Sequence, residues 1–258
     1  MTDSPETAKR DRLAAFFATF ELEVSVVRTD EIDRVANLAV VGDDGRAASV
    51  VFAARGDAAC GLPDEVLAAA RVEFGGLTNP LVGALPERFE VLLDGQPLLR
   101  PVVEAFVAEA GGTRCGRQVA LDRLCEVIVL FVLRQAIDGG ATGPGLLAGL
   151  SHPMLHRAIV AMHDEPGRPW LVEDLARIAG MSRSRFIDQF RLLVGTTPGA
   201  YLEHWRLTLA RRELLRGGRV KSVARLVGFG SAAAFSRAYS RVFGHPPALA
   251  REQEATAG

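Results

Sequence analysis

A pattern that occurs twice in the last third of this 258-residue chain constrains its fold more than any other feature. Each copy has an alanine four residues before a glycine, a serine soon after that glycine, and aromatic residues four and eight positions after the serine. Because glycine permits a tight turn and alanine permits close approach, each copy predicts two helices that cross steeply through a short turn. The aromatics would anchor the second helix and leave its opposite face free to enter a DNA major groove. The two copies are VEDLARIAGMSRSRFIDQFRLLVG and KSVARLVGFGSAAAFSRAYSRVFG.

The charge of the chain is divided unevenly. Residues 1–150 contain 14 Lys and Arg against 22 Asp and Glu, whereas residues 151–258 contain 16 against 9. Lys221 is the only lysine of the second part, and arginine is the side chain best suited to bidentate contacts with phosphate and guanine. The basic part is therefore a candidate for nucleic-acid binding, although arginines on solvated helix faces would give the same balance.

The cysteines and the apolar runs indicate where the protein works. Cys60, Cys115 and Cys125 form no CxxC pair, and an odd number argues against a secreted disulfide framework. The polar, acidic N-terminal segment is unlike a signal peptide. The most apolar run, Val127–Leu133, is seven residues long, against the roughly 18 needed to cross a bilayer. We therefore expect a cytoplasmic protein that does not enter a membrane.

The first half of the chain predicts short strands followed by two helices. Asp43, Asp44 and Gly45 have the composition of a hairpin turn. The predicted strands are Leu22–Val27, Arg34–Val41, Ala47–Ala54, one near Val72–Gly76 and one at Phe89–Leu93, and the predicted helices are Pro101–Ala110 and Arg117–Asp138.

The helix Arg117–Asp138 is apolar on nearly every side after Glu126, so it has to be buried all round. One face would pack on the sheet. The other requires a second helix of the same domain, which would make it a central core helix, or a second subunit. In the second case the predicted dimer contacts are Leu121, Leu124, Ile128 and Phe131.

Glycines at 139–145 interrupt the chain where the charge changes sign. We therefore predict an α+β protein with a domain at 1–140, a linker at 141–150 and an all-helical domain at 151–258. The predicted helices of the second domain are His152–His163, Leu171–Ala179, Arg183–Val194, Gly199–Arg216, Val220–Val227 and Ala232–Val242.

Roughly residues 152–251 resemble the AraC/XylS family of bacterial transcription regulators. The resemblance rests on HPMLHRAIVAMHDEPGRPW, on LARIAGMSRSRFIDQFRLLVGTTPGAYLEHWRLTLARRELL and on VARLVGFGSAAAFSRAYSRVFGHPPALAR. It implies two helix-turn-helix units that are joined by a linker helix and enter successive major grooves. The first domain, through LVGALPERFEVLL and DRLCEVIVLFVLRQAI, is similar to the cupin-type sensor domain of one branch of the family. In two places, Leu171 and Arg219, the chain lacks the Ser or Thr that commonly caps a helix in this family.

The resemblance also implies which residues contact DNA. Since alanines contact thymine methyls but make few hydrogen bonds, we expect Arg237 to contribute most of the direct base contacts of the second unit. Arg183, Arg185, Arg191 and Arg241 provide positive potential where phosphates would pass. The implied base-contacting positions are Ser184, Ile187 and Asp188 in the first unit and Ala232, Ala233, Ala234, Ser236 and Arg237 in the second.

The first domain contains no histidine, because all five histidines lie beyond residue 150. This argues against a zinc or iron site there, and we expect no metal and no cofactor. Cys115 lies between Arg114 and Arg117 just before a predicted helix, surroundings that favour a thiolate. Cys115 and Cys60 are therefore candidate redox-sensing residues. A small-molecule effector site and a purely dimerising domain are the alternatives.

Together these features predict a sequence-specific DNA-binding transcription regulator that responds through its first domain and is not an enzyme. The expected partners are promoter DNA, a second copy of the chain, an unidentified small-molecule effector and RNA polymerase. The alternative is a small-molecule-binding or catalytic cupin with an accessory basic domain. The doubled motif favours the regulator, and the missing histidines and the lack of a P-loop or GxGxxG weaken the alternative.

Overall fold

A computed structural model of the chain describes residues 13, 23–27, 36–53, 65–73, 88–139 and 145–250. The chain divides into two compact units, and the boundary between them lies between Ser151 and His152. The first unit contains an antiparallel sheet and helices, and the second contains helices. The predicted α+β class is confirmed.

The described strands of the first unit form one antiparallel sheet in the order β1-β4-β2-β3-β5. The fourth strand lies earlier than predicted and ends at Glu73, because its alanines, which weakened the sequence pattern, pair with β2. The strands are β1 (Glu23–Val27), β2 (Leu38–Asp43), β3 (Arg46–Phe52), β4 (Val66–Glu73) and β5 (Phe89–Leu92).

The predicted hairpin turn joins β2 to β3. Asp44 has φ 50° and Gly45 has φ 75°, so both central residues occupy the left-handed region. Two such residues in succession are what a two-residue hairpin turn of right-handed twist requires, and Asp-Gly is a favoured pair for it. The amide of Gly45 also donates to the Glu65 carboxylate at 2.8 Å, which ties the turn to the start of β4.

The described residues of the first unit also form three helices: α1 (Leu99–Ala110), α2 (Arg117–Asp138) and α3 (Leu146–Ser151). Helix α2 begins and ends where its sequence predicted. The Arg117 guanidinium donates to the carbonyls of Glu109 and Ala110, at 3.1 and 2.7 Å. It thereby satisfies carbonyls at the end of α1 that lack a partner within the helix.

Helix α3 begins at Leu146, so the second half of the predicted linker at 141–150 is helical. Leu147 and Leu150 are fully buried, and the Ser151 hydroxyl donates to the Ile137 carbonyl at 2.6 Å. The neighbouring glycines concealed a short apolar segment that packs on the first unit. Among the described helices, none combines the length and the apolarity that crossing a bilayer requires.

The second unit follows its predicted helix pattern with small shifts at the ends. The first helix starts at Leu155 rather than at His152, because the His152 ring caps it: Nδ1 accepts from the amides of Met154 and Leu155 at 3.2 and 3.1 Å. The helices are α4 (Leu155–Asp164), α5 (Val172–Ile178), α6 (Arg183–Val194), α7 (Pro198–Leu215), α8 (Val220–Leu226) and α9 (Ala232–Phe243).

A buried histidine joins α4 to α7. The Nε2 atom of His163 lies 2.6 Å from the Tyr201 hydroxyl, and its ring centroid lies 4.3 Å from that of Trp205. Burial in this aromatic setting lowers the pKa of His163 to about 3, because a charged imidazolium would lose its hydration there. The side chain is therefore a neutral element of the core at physiological pH.

The depressed pKa of His163 makes the second unit sensitive to acid. The unfolded chain binds a proton at His163 near pH 6.5 and the folded chain does not until about pH 3, so stability falls as the pH drops through this window. From pH 7 to pH 5 this single group should remove about 2 kcal/mol from the free energy of unfolding. His163→Gln should abolish that part of the acid loss. Urea titrations followed by tryptophan fluorescence measure it, since Trp170 and Trp205 are the only tryptophans and both lie in this unit. Equal acid losses in the two proteins would contradict the assignment.

The missing helix caps provide a second prediction. Leu171 precedes α5, contributes no capping hydrogen bond and is 62% exposed. Leu171→Ser should therefore add a cap at little cost in packing and raise the free energy of unfolding by about 1 kcal/mol. Ser182→Ala is the matched opposite, because the Ser182 hydroxyl accepts from the amide of Arg185 at the start of α6. The same urea titration should show it destabilised by a similar amount, and a destabilised Leu171→Ser protein would contradict the argument.

Candidate nucleic-acid interface

The first helix-turn-helix unit, α5–α6, is defined by its caps. Gly180 has φ 65°, and the amide of the next residue, Met181, donates back to the carbonyl of Ala176 at 2.9 Å. This is the Schellman termination, in which a left-handed glycine ends a helix. Ser182 then caps α6, and Gly195, with φ 81°, ends it.

The second helix-turn-helix unit, α8–α9, repeats the same arrangement. Gly228 has φ 85°, and the amide of Phe229 donates to the carbonyl of Ala224 at 2.9 Å. The Ser231 hydroxyl accepts from the amide of Ala234 at 3.1 Å, and Gly244 ends α9 with φ 77°. The turn is one residue longer than in the first unit, yet both second helices start on a serine cap and run for 12 residues.

Aromatic side chains fix the inner face of both second helices. Phe186 and Phe190 of α6 are fully buried, and their ring centroids lie 5.6 Å apart. Phe235 and Tyr239 of α9 are equally buried at the same separation of 5.6 Å. Because these anchors recur every four residues, the residues between them project from the opposite face of each helix.

The outer faces carry the predicted DNA-contacting residues. In α6, Ile187 alone of that set is half-buried and the others are exposed. Sequence reasoning missed Leu192, which is 65% exposed at the position that corresponds to Arg241 and offers an apolar group of the kind that contacts a thymine methyl. The exposed predicted residues of α6 are Arg183, Ser184, Arg185, Asp188 and Arg191.

The outer face of α9 is less polar. Ala233, Arg237 and Arg241 are exposed, whereas Ala232, Ala234 and Ser236 are half-buried. Arg237 corresponds to Asp188 of the first unit. The two helices therefore present opposite charges at equivalent positions.

Two of the predicted arginines form ion pairs with carboxylates of neighbouring helices. Arg183 Nε lies 2.7 Å from the Glu173 carboxylate of α5, and Arg241 of α9 pairs with Glu203 of α7. No ion pair or hydrogen bond joins the guanidinium of Arg237 to another residue in the described part of the chain. Arg237 is thus not held by any carboxylate of the described residues.

A shallow cavity of about 290 Å³ opens beside the second turn, and sequence reasoning did not single out its basic residues. Lys221 and Arg225 lie one helical turn apart on α8 and border it, and Ser231 at the start of α9 borders it from the other side. Their spacing of four residues on an exposed helix face was the available signal. Two cations beside a helix N-terminus favour an anion such as phosphate.

The structure corrects the predicted dimer contacts. Leu121 and Ile128 are fully buried within their own unit and cannot meet a second subunit. Leu124 and Phe131 are half-buried, and Val127, which lies between them, is 38% exposed. Because the helix is apolar on every side, its sequence does not indicate which face its own unit covers. The buried and the partly exposed residues could therefore not be distinguished from the sequence.

The cysteines differ in their surroundings. Cys115 is exposed in the turn before α2, whereas Cys125 is buried within that helix. Burial, together with nearby Asp122 and Glu126, raises the pKa of the Cys125 thiol to about 12 and keeps it protonated. Cys60 lies outside the described residues. Within the part of the chain that the structure describes, no three His, Cys, Asp or Glu side chains are grouped so as to hold a metal ion.

Two family models match separate parts of the chain, one on each side of the boundary between the two units. Residues 11–138 match a family model described as Cupin, and residues 175–253 match one described as Helix-turn-helix domain. The chain is 34% identical over 181 residues to the HTH-type transcriptional regulator AlkR of Acinetobacter baylyi, a match that covers 68% of this chain and 59% of AlkR. The chain therefore spans about three fifths of the length of that relative.

Two solved structures are similar to part of the chain. One is a transcriptional regulator of the AraC-type DNA-binding domain-containing proteins from Chromobacterium violaceum. The other is the DNA-binding domain of AdpA in complex with a target DNA. Each is 30% identical, with coverage of 41% of this chain and 96% of the solved one and a TM-score of 0.39. A Cupin model is followed by a Helix-turn-helix model, and the chain is also 35% identical over 157 residues to a putative AraC-like transcription regulator of Streptomyces lividans, covering 60% of this chain and 47% of that relative. The chain belongs to the AraC-like family of transcription regulators.

Proposed function

We propose that this chain is a sequence-specific DNA-binding transcription regulator whose two helix-turn-helix units contact DNA together. The observation that carries the proposal is the repetition of one cap arrangement in α5–α6 and α8–α9, each with aromatic anchors inside and an exposed outer face. Such a helix fits the major groove of B-DNA. Promoter DNA is the proposed ligand, RNA polymerase a proposed partner, and the cytoplasm the proposed location.

Phosphates and bases are contacted by different residues in this proposal. Lys221 and Arg225, on α8 beside the cavity at the second turn, bind backbone phosphate. Arg183 and Arg241 exchange Glu173 and Glu203 for phosphate, so the lost ion pairs offset part of their gain. Arg237, which is paired with no carboxylate of the described residues, contacts a base directly with its guanidinium fork.

The proposal is tested by selecting DNA from a random library with the full chain and then measuring affinities at two salt concentrations. The wild-type protein should prefer the selected sequence and should lose affinity steeply as salt rises, because arginine–phosphate contacts release counterions. Equal binding to selected and random DNA would contradict sequence-specific regulation.

Arg237→Ala, measured on single-base variants of the selected DNA, identifies the role of this side chain. A bidentate contact to guanine predicts a loss of about 1–3 kcal/mol and relaxed preference at one base pair. A phosphate contact predicts a uniform loss on all sequences and a salt slope lower by roughly one unit. Arg237→Lys is the matched control, because lysine keeps the charge but lacks the fork. If Arg237→Ala loses affinity equally on all single-base variants, direct base contact by Arg237 is rejected, and specificity would then rest on Ser184, Ile187 and Asp188.

We propose further that the protein is a homodimer through α2. Ala120, Leu124, Val127 and Phe131 follow one another at spacings of four, three and four residues. Each is half-buried or exposed in the chain by itself. This heptad spacing is that of a helix–helix seam. The exposed pair Arg123 and Glu126, whose charged atoms lie 2.6 Å apart, borders the seam.

Val127→Glu should weaken this dimer at least about tenfold, or about 1.4 kcal/mol, because it places a carboxylate in an apolar seam. The fold of the single chain should persist, since Val127 is 38% exposed. Leu92→Glu is the control: that leucine is 66% exposed on β5, outside the seam. Sedimentation equilibrium measures both variants. A monomeric wild-type protein at micromolar concentration, or equal weakening by the two substitutions, would contradict a dimer at α2.

The cupin domain is the proposed receiver of the regulatory signal, and we propose an unidentified small molecule as that signal. Strands β2 and β3 are buried on both faces over Leu38–Val41 and Val50–Phe52, so the sheet is enclosed by other parts of the molecule. Because the thiol of Cys115 is exposed, we propose an oxidant as the alternative signal. An enzymatic role has no feature in its favour among the described residues, and we propose none.

A further inference from the structure

The two helix-turn-helix units touch through their backbones. Gly167 lies in the loop that leads into α5, and Gly228 lies in the turn between α8 and α9. A Cβ atom added at Gly167 would lie 2.8 Å from the carbonyl oxygen of Leu226, and one added at Gly228 would lie 2.7 Å from that of Gly167. Carbon and oxygen atoms that are not bonded do not approach so closely, so only glycines permit this contact.

The loop that carries Gly167 is held firmly by the linker helix. Arg206 of α7 donates from Nε to the carbonyl of Pro166 at 2.6 Å and from Nη2 to that of Arg168 at 2.7 Å. Within the loop, the Trp170 indole donates to the carbonyl of Glu165 at 2.9 Å, and the Arg168 guanidinium lies 4.1 Å from the centre of the Trp170 ring. The position of Gly167 is therefore fixed relative to α7.

Each helix-turn-helix unit also packs on α7, but at a different end of that helix. Tyr201, near the start of α7, contacts Phe190 of the first unit, with ring centroids 5.7 Å apart. Leu207 and Leu214, further along α7, belong to one core cluster with Phe235 of the second helix-turn-helix unit. Packing on a single helix leaves the rotation of one unit about that helix weakly determined. A further contact away from the helix axis removes this freedom.

We propose that an interunit joint, formed by the loop 165–170, Arg206 and Gly228, sets the distance and angle between α6 and α9. Each of these helices would bind one short DNA sequence, here called a box, so the joint determines the spacing between the two boxes that the protein accepts. The proposal rests on the proposed function, because it requires that both units bind DNA. Arg206, Gly167 and Gly228 are positioning residues and contact no DNA themselves.

A fixed spacing matters because binding by the second unit is intramolecular once the first is bound. The effective concentration of the second unit at its box is greatest when the geometry of the protein matches that of the DNA. Boxes in successive major grooves are separated by about 10–10.5 base pairs. A change of one base pair rotates a box by about 34° around the DNA axis, so a rigid joint discriminates sharply between spacings.

Gly167→Ala in the full chain tests the joint. Gly167 has no left-handed φ, so alanine meets no backbone strain there and disturbs only the contact with Leu226 and Gly228. The probes are the two-box duplex selected by the wild-type protein, duplexes with the spacer shortened or lengthened by one or two base pairs, and duplexes with either box scrambled. We expect affinity for the selected duplex to fall about tenfold or more, affinity for one-box duplexes to stay within about twofold, and the preferred spacing to shift or broaden.

Gly199→Ala is the control, because a Cβ at that exposed position in the first turn of α7 meets nothing within 4 Å. It should leave affinity and spacing preference unchanged. Arg206→Lys is the second variant, because a lysine cannot hold the carbonyls of Pro166 and Arg168 in one fork. It should have the same selective effect on two-box DNA, and combining it with Gly167→Ala should add little if both act through one joint.

Three outcomes decide the question. Variants that keep the wild-type spacing preference would overturn the joint. A parallel loss on one-box and two-box duplexes in both variants would also overturn it, since a joint acts only on the pair. A wild-type protein that binds one box as tightly as two would refute joint DNA contact by the two units, and this failure of the proposed function appears before any variant is measured.

Discussion

Helix α7 is the element on which the second unit depends. In its first half, Tyr201 packs on Phe190 of the first helix-turn-helix and Trp205 packs on His163 of α4. In its second half, Leu207 and Leu214 belong to the core of the second helix-turn-helix. Neither short helix pair encloses a core without it. The two outer faces are therefore oriented by one continuous element, and the geometry offered to DNA is a property of α7 and of what fixes each pair against it.

Local signals made much of this architecture predictable. Helices α2 and α6 have the ends that their flanking glycines and caps indicated, and the doubled turn was recognisable because Gly180 and Gly228 occupy positions where a left-handed residue is required. These signals lie within a few residues of the structure that they specify. The exposed positions of Arg237 and Arg241 followed from the same periodicity, since the aromatic anchors define which face is inside.

What could not be predicted depends on contacts between distant residues. The sequence shows that α2 is apolar, but only packing reveals that Ile128 faces its own unit while Val127 does not. Burial, which no local pattern reports, makes His163 a neutral core residue. Arg206 resembled any other arginine of a basic domain, yet its guanidinium holds two carbonyls 38 and 40 residues earlier in the chain.

The arginines of the second unit illustrate why a net positive charge does not identify a DNA contact. Arg206 donates to backbone carbonyls, Arg183 and Arg241 are paired with carboxylates, and Arg237 is exposed on the outer face of α9. An exposed ion pair contributes little to folding, so release of Arg183 or Arg241 to a phosphate costs little as well. Removal of Arg206 instead would take away the guanidinium that holds the carbonyls of Pro166 and Arg168, and would loosen the loop that contains them. Residues of one type in one basic domain thus divide into candidates for DNA contact and residues that hold the backbone in place, and their partners within the fold distinguish the two groups.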